Sequence, residues 1–347
     1  MTAVHANAHA NTDTNSAQKA EPMKTEKMTM VQAINRALDE EMERDPTIIL
    51  LGEDIGVDGG VFRVTQGLQA KYGADRVVDT PLTEAGIVGV GIGLAIGGMR
   101  PVCEIQFSGF MNYCFEQIQP HASRFRQRTC GSQTVPMVVR APSGGGIRAL
   151  EHHSESEEAM YVHTPGLVVL MPSGPRTAYG LLKAALRSPD PVIFFEPKSI
   201  YRAIKEDVPV GGGAMPIGKA EVAQAGTDLT VVTWGAMLKR TREALADLPG
   251  LSVEILDLLT LNPLDHDAII ASVKKTGRLV VVHEAPRTAG LAGEIYARVC
   301  EDAFYHLRAP MMRVCGWDVP FPLLAREAAY IPDKQRIAAA IVKVMQD

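Results

Sequence analysis

One carboxylate stands at the head of an apolar, glycine-rich stretch: Glu84, in Asp79-Thr80-Pro81-Leu82-Thr83-Glu84-Ala85-Gly86-Ile87-Val88-Gly89. A helix N-terminus favours the charged form of such a group, and burial disfavours it. Two readings follow. Glu84 is a helix-capping acid, or it is held in an apolar pocket where it can share a proton with a heterocycle. A second acid, Glu53, sits in Gly52-Glu53-Asp54 at the end of an apolar run. It reads either as a solvated loop-end acid or as an acid close to reacting groups. His152 and His153 follow the run Pro142-Ser143-Gly144-Gly145-Gly146. A histidine pair on a surface is more often incidental than catalytic, yet imidazole is the side chain suited to acid–base work near neutral pH.

The elements that must position these residues alternate. Thr29 with Gln32 forms a capping-box pattern, and Met30, Ile34, Leu38 and Met42 recur at helical spacing. Thr47–Leu51 reads as a buried strand opening into the Glu53 loop, with a turn at Gly59-Gly60. Val77–Thr80 reads as a strand broken by Pro81, and the run from Ala85 as a helix. Gly86, Gly89, Gly93 and Gly97 fall on one helical stripe. Each glycine costs a helix about 1 kcal/mol against alanine, so the stripe implies close packing against another backbone or a flat ligand. A helix is expected over Met111–Arg128, a strand over Met137–Arg140 and a mobile loop over 142–146. Strands at Leu167–Met171 and Val192–Phe195 flank a helix at Arg176–Leu186. Further apolar runs at Leu229–Thr233, Val253–Leu258 and Leu279–Val282 precede a last helix at Lys334–Met345. This rhythm predicts an α/β fold with two parallel-sheet domains. The expected organisation is a tail over 1–27, a first domain over 28–207, a linker over 208–220 and a second domain over 221–347.

Bulk properties exclude several classes. The chain has 347 residues, 46% hydrophobic and 22% charged, with a formal net charge of −5. That balance gives no reason to propose nucleic acid as a partner. Cys103, Cys114, Cys130, Cys300 and Cys315 lie far apart with no CxxC pair, so neither a zinc site nor a disulfide framework is suggested, and a reducing cytoplasm is the expected location. The first 27 residues hold no apolar run resembling a signal-peptide core. The apolar stretch Gly86–Met99 falls short of the roughly 20 residues that a membrane span needs.

The Glu84 segment resembles the pyrimidine-binding motif of the β subunit of 2-oxo-acid dehydrogenase E1 components. Other stretches follow in that family's order: Gly52-Glu53-Asp54 with Gly59-Gly60-Val61-Phe62, Arg100–Phe107, Gly144-Gly145-Gly146, His153-Ser154-Glu155-Ser156, Phe194–Lys198, Lys275–Arg278, His283-Glu284-Ala285 and Ile331-Pro332. Together they cover the chain from about Met28 onward. The resemblance implies a transketolase-like pyrimidine-binding domain followed by a transketolase C-terminal domain. It implies that Glu84 hydrogen-bonds N1′ of thiamine diphosphate, favouring the 4′-imino tautomer that takes the proton from thiazolium C2. The cofactor does the difficult chemistry, and the protein tunes and positions it. Glu53 matches an acid near the cofactor, and Gln106 and Phe110 match positions lining substrate and pyrimidine. Branched-chain members often carry Tyr where this chain has Phe110. His153 matches the histidine that stabilises charge during acyl transfer to a lipoyl group. The family often has Pro where Glu157 stands here. Some members bind a monovalent cation, K+, and the matching positions are Val135, Met137, Val138, Ala185, Ser188 and Asp190, largely through main-chain carbonyls.

Thiamine enzymes hold the diphosphate through Mg2+, using a Gly-Asp-Gly start and a later Asn pair. This chain has no Gly-Asp-Gly, and beyond Asn35 only Asn112 and Asn262. An E1 α subunit is therefore expected to supply the Mg2+ half, in an α2β2 heterotetramer that serves a lipoyl-bearing E2 core. Phe194–Lys198 and Val314–Asp318 look more like branched-chain members, and Gln106–Phe110 more like pyruvate members. Branched-chain 2-oxo acids are the expected substrates, with pyruvate and acetoin as alternatives. A nicotinamide dehydrogenase would place its glycines in the turn between strand and helix, whereas here they fall inside the helix. A mainly structural assembly subunit is the alternative from another class, and Glu84 and His153 argue against a purely structural role.

Overall fold

The computed structural model describes residues 24–346. The chain-order strands of its first part are β1 (Thr25–Met28), β2 (Ile48–Gly52), β3 (Val77–Asp79), β4 (Arg100–Glu104), β5 (Val138–Ser143), β6 (Val168–Leu170), β7 (Val192–Pro197) and β8 (Glu206–Pro209). Those of the second are β9 (Glu221–Gln224), β10 (Leu229–Thr233), β11 (Val253–Asp257), β12 (Thr260–Asn262), β13 (Leu279–Pro286) and β14 (Met312–Gly316). The larger sheet has the order β12-β6-β7-β5-β4-β2-β3, and all its pairings are parallel except β12 with β6. The smaller sheet, β14-β13-β10-β11-β9, is parallel except at its β9 edge. Strands such as Val192–Pro197 and Leu229–Thr233 are buried along their whole length, the pattern expected where helices cover both faces of a parallel sheet.

Local chemistry explains the helices that hold the sheets. Helix Met30–Arg44 carries the expected capping box: Gln32 N–H donates to Thr29 Oγ1 and Thr29 N–H to Gln32 Oε1. It packs Ile34, Leu38 and Met42 into the core. Helix Pro175–Arg187 starts with Pro at its first turn, where the missing N–H costs nothing. No helix among the described residues is long and apolar enough to cross a membrane.

Five expectations need correction. Thr25–Lys27 of the expected tail join Met28 in a strand paired antiparallel with β8, because the backbone of Glu206–Pro209 lies alongside it; residues 1–23 lie outside the described residues. The same pairing takes Val208 and Pro209 out of the expected linker. β12 leaves the second domain and closes the edge of the first sheet, so the two domains share a sheet. The single helix over Met111–Arg128 is instead a 3-10 turn (Ser108–Cys114), a short α turn, a π turn (Ile118–Ala122) and a last α turn (Phe125–Arg128). Pro120 lies inside it and cannot donate to an α ladder, so the chain loosens there. Pro142 and Ser143 belong to β5, and Gly144 and Gly145 are buried.

Candidate active site

The site residues gather at the carboxyl ends of parallel strands, where open α/β sheets carry their binding crevices. Glu53 follows β2, Gln106 follows β4, Gly144 follows β5 and Lys198 follows β7. Asp79, the last residue of β3, fixes the Glu53 loop. Gly56 N–H donates to its carboxylate at 2.5 Å and Val57 N–H at 3.2 Å. Thr80 N–H then donates to Gly52 O at 2.9 Å, so the loop bearing Glu53 and the segment leading to Glu84 are tied together.

Glu84 is the first residue of helix Glu84–Ile96; the cap is Thr83, whose side chain makes no capping hydrogen bond. Glu53 and Glu84 are brought close enough to repel. Burial first, then Asp54 and Glu84, pushes the Glu53 carboxyl above the ordinary range. The glycine stripe behaves differently from expectation. A Cβ at Gly93 would meet nothing within 4 Å, and at Gly89 only Gln117 Oε1 at 3.7 Å. Gly91, off the stripe, makes the close approach, where a Cβ would lie 2.6 Å from Cys103 Sγ. The stripe thus faces outward beside exposed Leu82, Val90 and Ile96. At Gly86 a Cβ would lie 2.8 Å from Thr83 Cγ2, so among the described residues the stripe makes a close approach at its first turn and none at Gly89 or Gly93.

His153 stands in a 3-10 turn, Glu151–His153, against two aromatic rings. Its ring centre lies 4.3 Å from that of Phe107 and 5.1 Å from that of Phe110. Its Nδ1 is buried without a hydrogen-bond partner among the described residues. Burial, then Lys198 and His152, lowers its pKa from the usual imidazole value, and Glu151 opposes them. The loop is stapled in place: Ser108 Oγ donates to Glu155 O at 2.8 Å, Gly144 N–H to Glu155 O at 3.0 Å, and Asn112 Nδ2 to Glu157 Oε1 at 2.6 Å. Burial raises Glu157 to about 7.

Val135, Met137, Val138, Ala185, Ser188 and Asp190 gather at the opposite end of the sheet, where β5 and β7 begin. Several of their carbonyls already accept hydrogen bonds, Met137 O from Val192 N–H and Ala185 O from Ser188 N–H among them. Neutral oxygens suit a large monovalent ion, but Arg100 donates to Ser188 O at 3.0 Å and Arg126 pairs with Asp190 at 2.6 Å. Both guanidinium groups compete with a cation there.

Residues 26–204 match the family model described as transketolase, pyrimidine binding domain, and residues 218–337 match transketolase, C-terminal domain. A pyruvate dehydrogenase E1 component subunit beta of Acholeplasma laidlawii is 50% identical over 91% of this chain and 98% of its own length. A 3-methyl-2-oxobutanoate dehydrogenase subunit beta of Mycobacterium tuberculosis is 46% identical over 93% of each chain. The chain belongs to the E1 β subunits of the 2-oxo-acid dehydrogenases. A split-gene transketolase solved as an inactive β4 tetramer shares the fold, with a TM-score of 0.75 at 21% identity, covering 92% of this chain and 98% of that one.

Within this E1 β subunit the structure brings Phe110 to His153 and Glu53 to Glu84, with Gln106 at the neighbouring strand end. Sequence reasoning gave no role to Asp79, Phe107, Lys198 or Glu284. All four stood inside family-like stretches, and a lysine directly after the apolar run Val192–Phe195 and Glu196-Pro197 was the signal available for Lys198.

Proposed function

We propose that this E1 β subunit, joined to an E1 α subunit, decarboxylates a 2-oxo acid and passes the acyl group to a lipoyl-bearing E2. The observation carrying this reading is Glu84 on the first turn of a helix whose face at Gly93 and exposed Leu82, Val90 and Ile96 is left uncovered by the described residues, beside Glu53, whose carboxyl is raised by burial first and then by Asp54 and Glu84. A carboxylate so placed fits the pyrimidine side of thiamine diphosphate, which when bound supplies a nucleophilic carbon and an electron sink. Glu84 would hold a proton at the ring nitrogen, Gln106 and Phe110 would line the pocket, and His153 would stabilise charge as the lipoyl sulfur accepts the acyl group. An α subunit would cover the uncovered face and hold the diphosphate through Mg2+, in an α2β2 assembly. The five free cysteines fit a cytoplasmic setting. A K+ ion at the Val135–Asp190 carbonyls would act on stability alone, and a KCl-independent melting temperature of the assembled enzyme would remove it.

Branched-chain 2-oxo acids are the proposed substrates, on the Phe194–Lys198 and Val314–Asp318 segments. Pyruvate is the second reading, favoured by the 50% identical relative named for it. The test is reconstitution with an E1 α subunit, with carbon dioxide release measured over branched-chain acids and pyruvate, and cleavage of acetoin followed separately. Glu84→Gln should abolish turnover of every acid in the panel. Full activity in that variant would overturn the role of Glu84.

A further inference from the structure

Lysine is almost never fully buried without a partner. Lys198 is 3% exposed, and its Nζ has no hydrogen-bond partner among the described residues. It follows β7 at the active-site end of the sheet, and Nζ lies 5.7 Å from the centre of the Phe107 ring. The His153 ring centre lies 4.3 Å from the same point. Charge and imidazole are therefore within about 10 Å, through a region that water screens poorly.

The second domain reaches into the same place. Glu284 on β13 accepts the Gly145 N–H at 2.5 Å, and Gly144 N–H in turn holds Glu155 O, two residues after His153. We infer that Lys198 is a positioning residue for His153, its buried ammonium keeping the imidazole neutral while Glu284 fixes the loop that carries it. The inference rests on the acyl-transfer role proposed for His153. The groups facing His153 are Lys198 from the end of β7, Glu151 and His152 from its own segment, and the uncharged rings of Phe107 and Phe110. Lys198 is faced by Glu284 and by Glu327 of the Glu327–Tyr330 turn. Burial pushes its amine down to about 7 against those two carboxylates. The ammonium thus stays charged through the more acidic range in which His153 takes up its proton.

The test uses the chain assembled with its α subunit. Diethyl pyrocarbonate acylates an imidazole only in its neutral form, and mass spectrometry of the His153 peptide across a pH series reads its midpoint without reference to turnover. Lys198→Met should raise that midpoint by about half a unit to one unit, and Lys198→Arg should leave it where it is. Burial also holds the Glu284 carboxyl up at about 7, so it is largely protonated where His153 titrates; Lys198→Met/Glu284→Gln therefore removes only the cation in that range, serves if the single variant does not fold, and should show the same rise. A midpoint in Lys198→Met or in the double variant within about 0.2 unit of the parent overturns the inference, as does an equal shift in Lys198→Arg. A His153→Ala variant that kept full acyl transfer would instead remove the role proposed for His153, leaving the midpoint result to stand by itself.

Discussion

Arg140 is 1% exposed and lies between two buried acids, Glu196 at 0% and Glu104 at 5%. It grips Glu196 with two hydrogen bonds, Nε to Oε1 at 2.6 Å and Nη2 to Oε2 at 2.8 Å, and also donates to Glu104. Tyr201 completes the network by donating to Glu196 Oε2 at 2.6 Å. Glu104, Arg140 and Glu196 lie on β4, β5 and β7, beneath the strand ends that carry Gln106, Gly144 and Lys198, and Tyr201 follows the 3-10 turn after β7. Arg140→Met would leave two buried carboxylates facing each other with no cation. Breaking a buried pair this way costs about 3–5 kcal/mol, which in a domain of this size lowers the melting temperature by roughly 6–20 °C. Burial already raises Glu104, and Arg140 is what opposes that rise. Without it, the Glu104 carboxyl should take up a proton well above its unfolded value. An acid whose folded pKa is raised is stabilised below that pKa and loses the stability as pH rises through it. The deficit should therefore be largest near pH 7.5 and shrink near pH 5.5. Urea and thermal unfolding at both pH values measure it, and Glu104→Gln/Glu196→Gln added to Arg140→Met should recover much of the loss. A deficit below about 1 kcal/mol, or one indifferent to pH, would refute the reasoning.

Two further outcomes follow from the site. Gly144 has φ of +74°, and a Cβ there would lie 2.8 Å from Glu284 Oε1. Gly144→Ala should cost about 1–2 kcal/mol from backbone strain and slow acyl transfer more than decarboxylation, read by comparing lipoyl-E2 with an artificial electron acceptor. Glu157, raised to about 7 by burial, makes stability fall as pH climbs from its unfolded value toward 7. Glu157→Gln should flatten that part of the curve and raise stability above pH 7, as urea midpoints across pH would record; an unchanged slope would count against a buried, protonated Glu157.

The strand rhythm was legible because parallel strands buried on both faces are continuous apolar runs, as in Leu229–Thr233 and Leu279–Val282. The capping box at Thr29 was legible because its chemistry is local. What escaped depends on partners distant in sequence. Thr25–Met28 has little apolar character, and it is a strand because residues 206–209 lie alongside it. Thr260–Asn262 is too short to signal that it crosses to the other sheet. Glu84 could be picked out from its place ahead of an apolar helix, and His153 from its motif. The aromatic wall at Phe107 and the buried Lys198 needed three strand ends to be brought together. The glycine stripe signalled close contact, but composition could not say that Gly89 and Gly93 stand clear of the chain's other described residues.

The central claim is that Glu84 belongs to half of a cofactor site. Calorimetric titration of thiamine diphosphate with Mg2+ into this chain alone, and into the chain assembled with an E1 α subunit, tests it most directly. The account predicts no binding heat for the chain alone and saturable binding for the assembly. Tight binding by the isolated chain would contradict it.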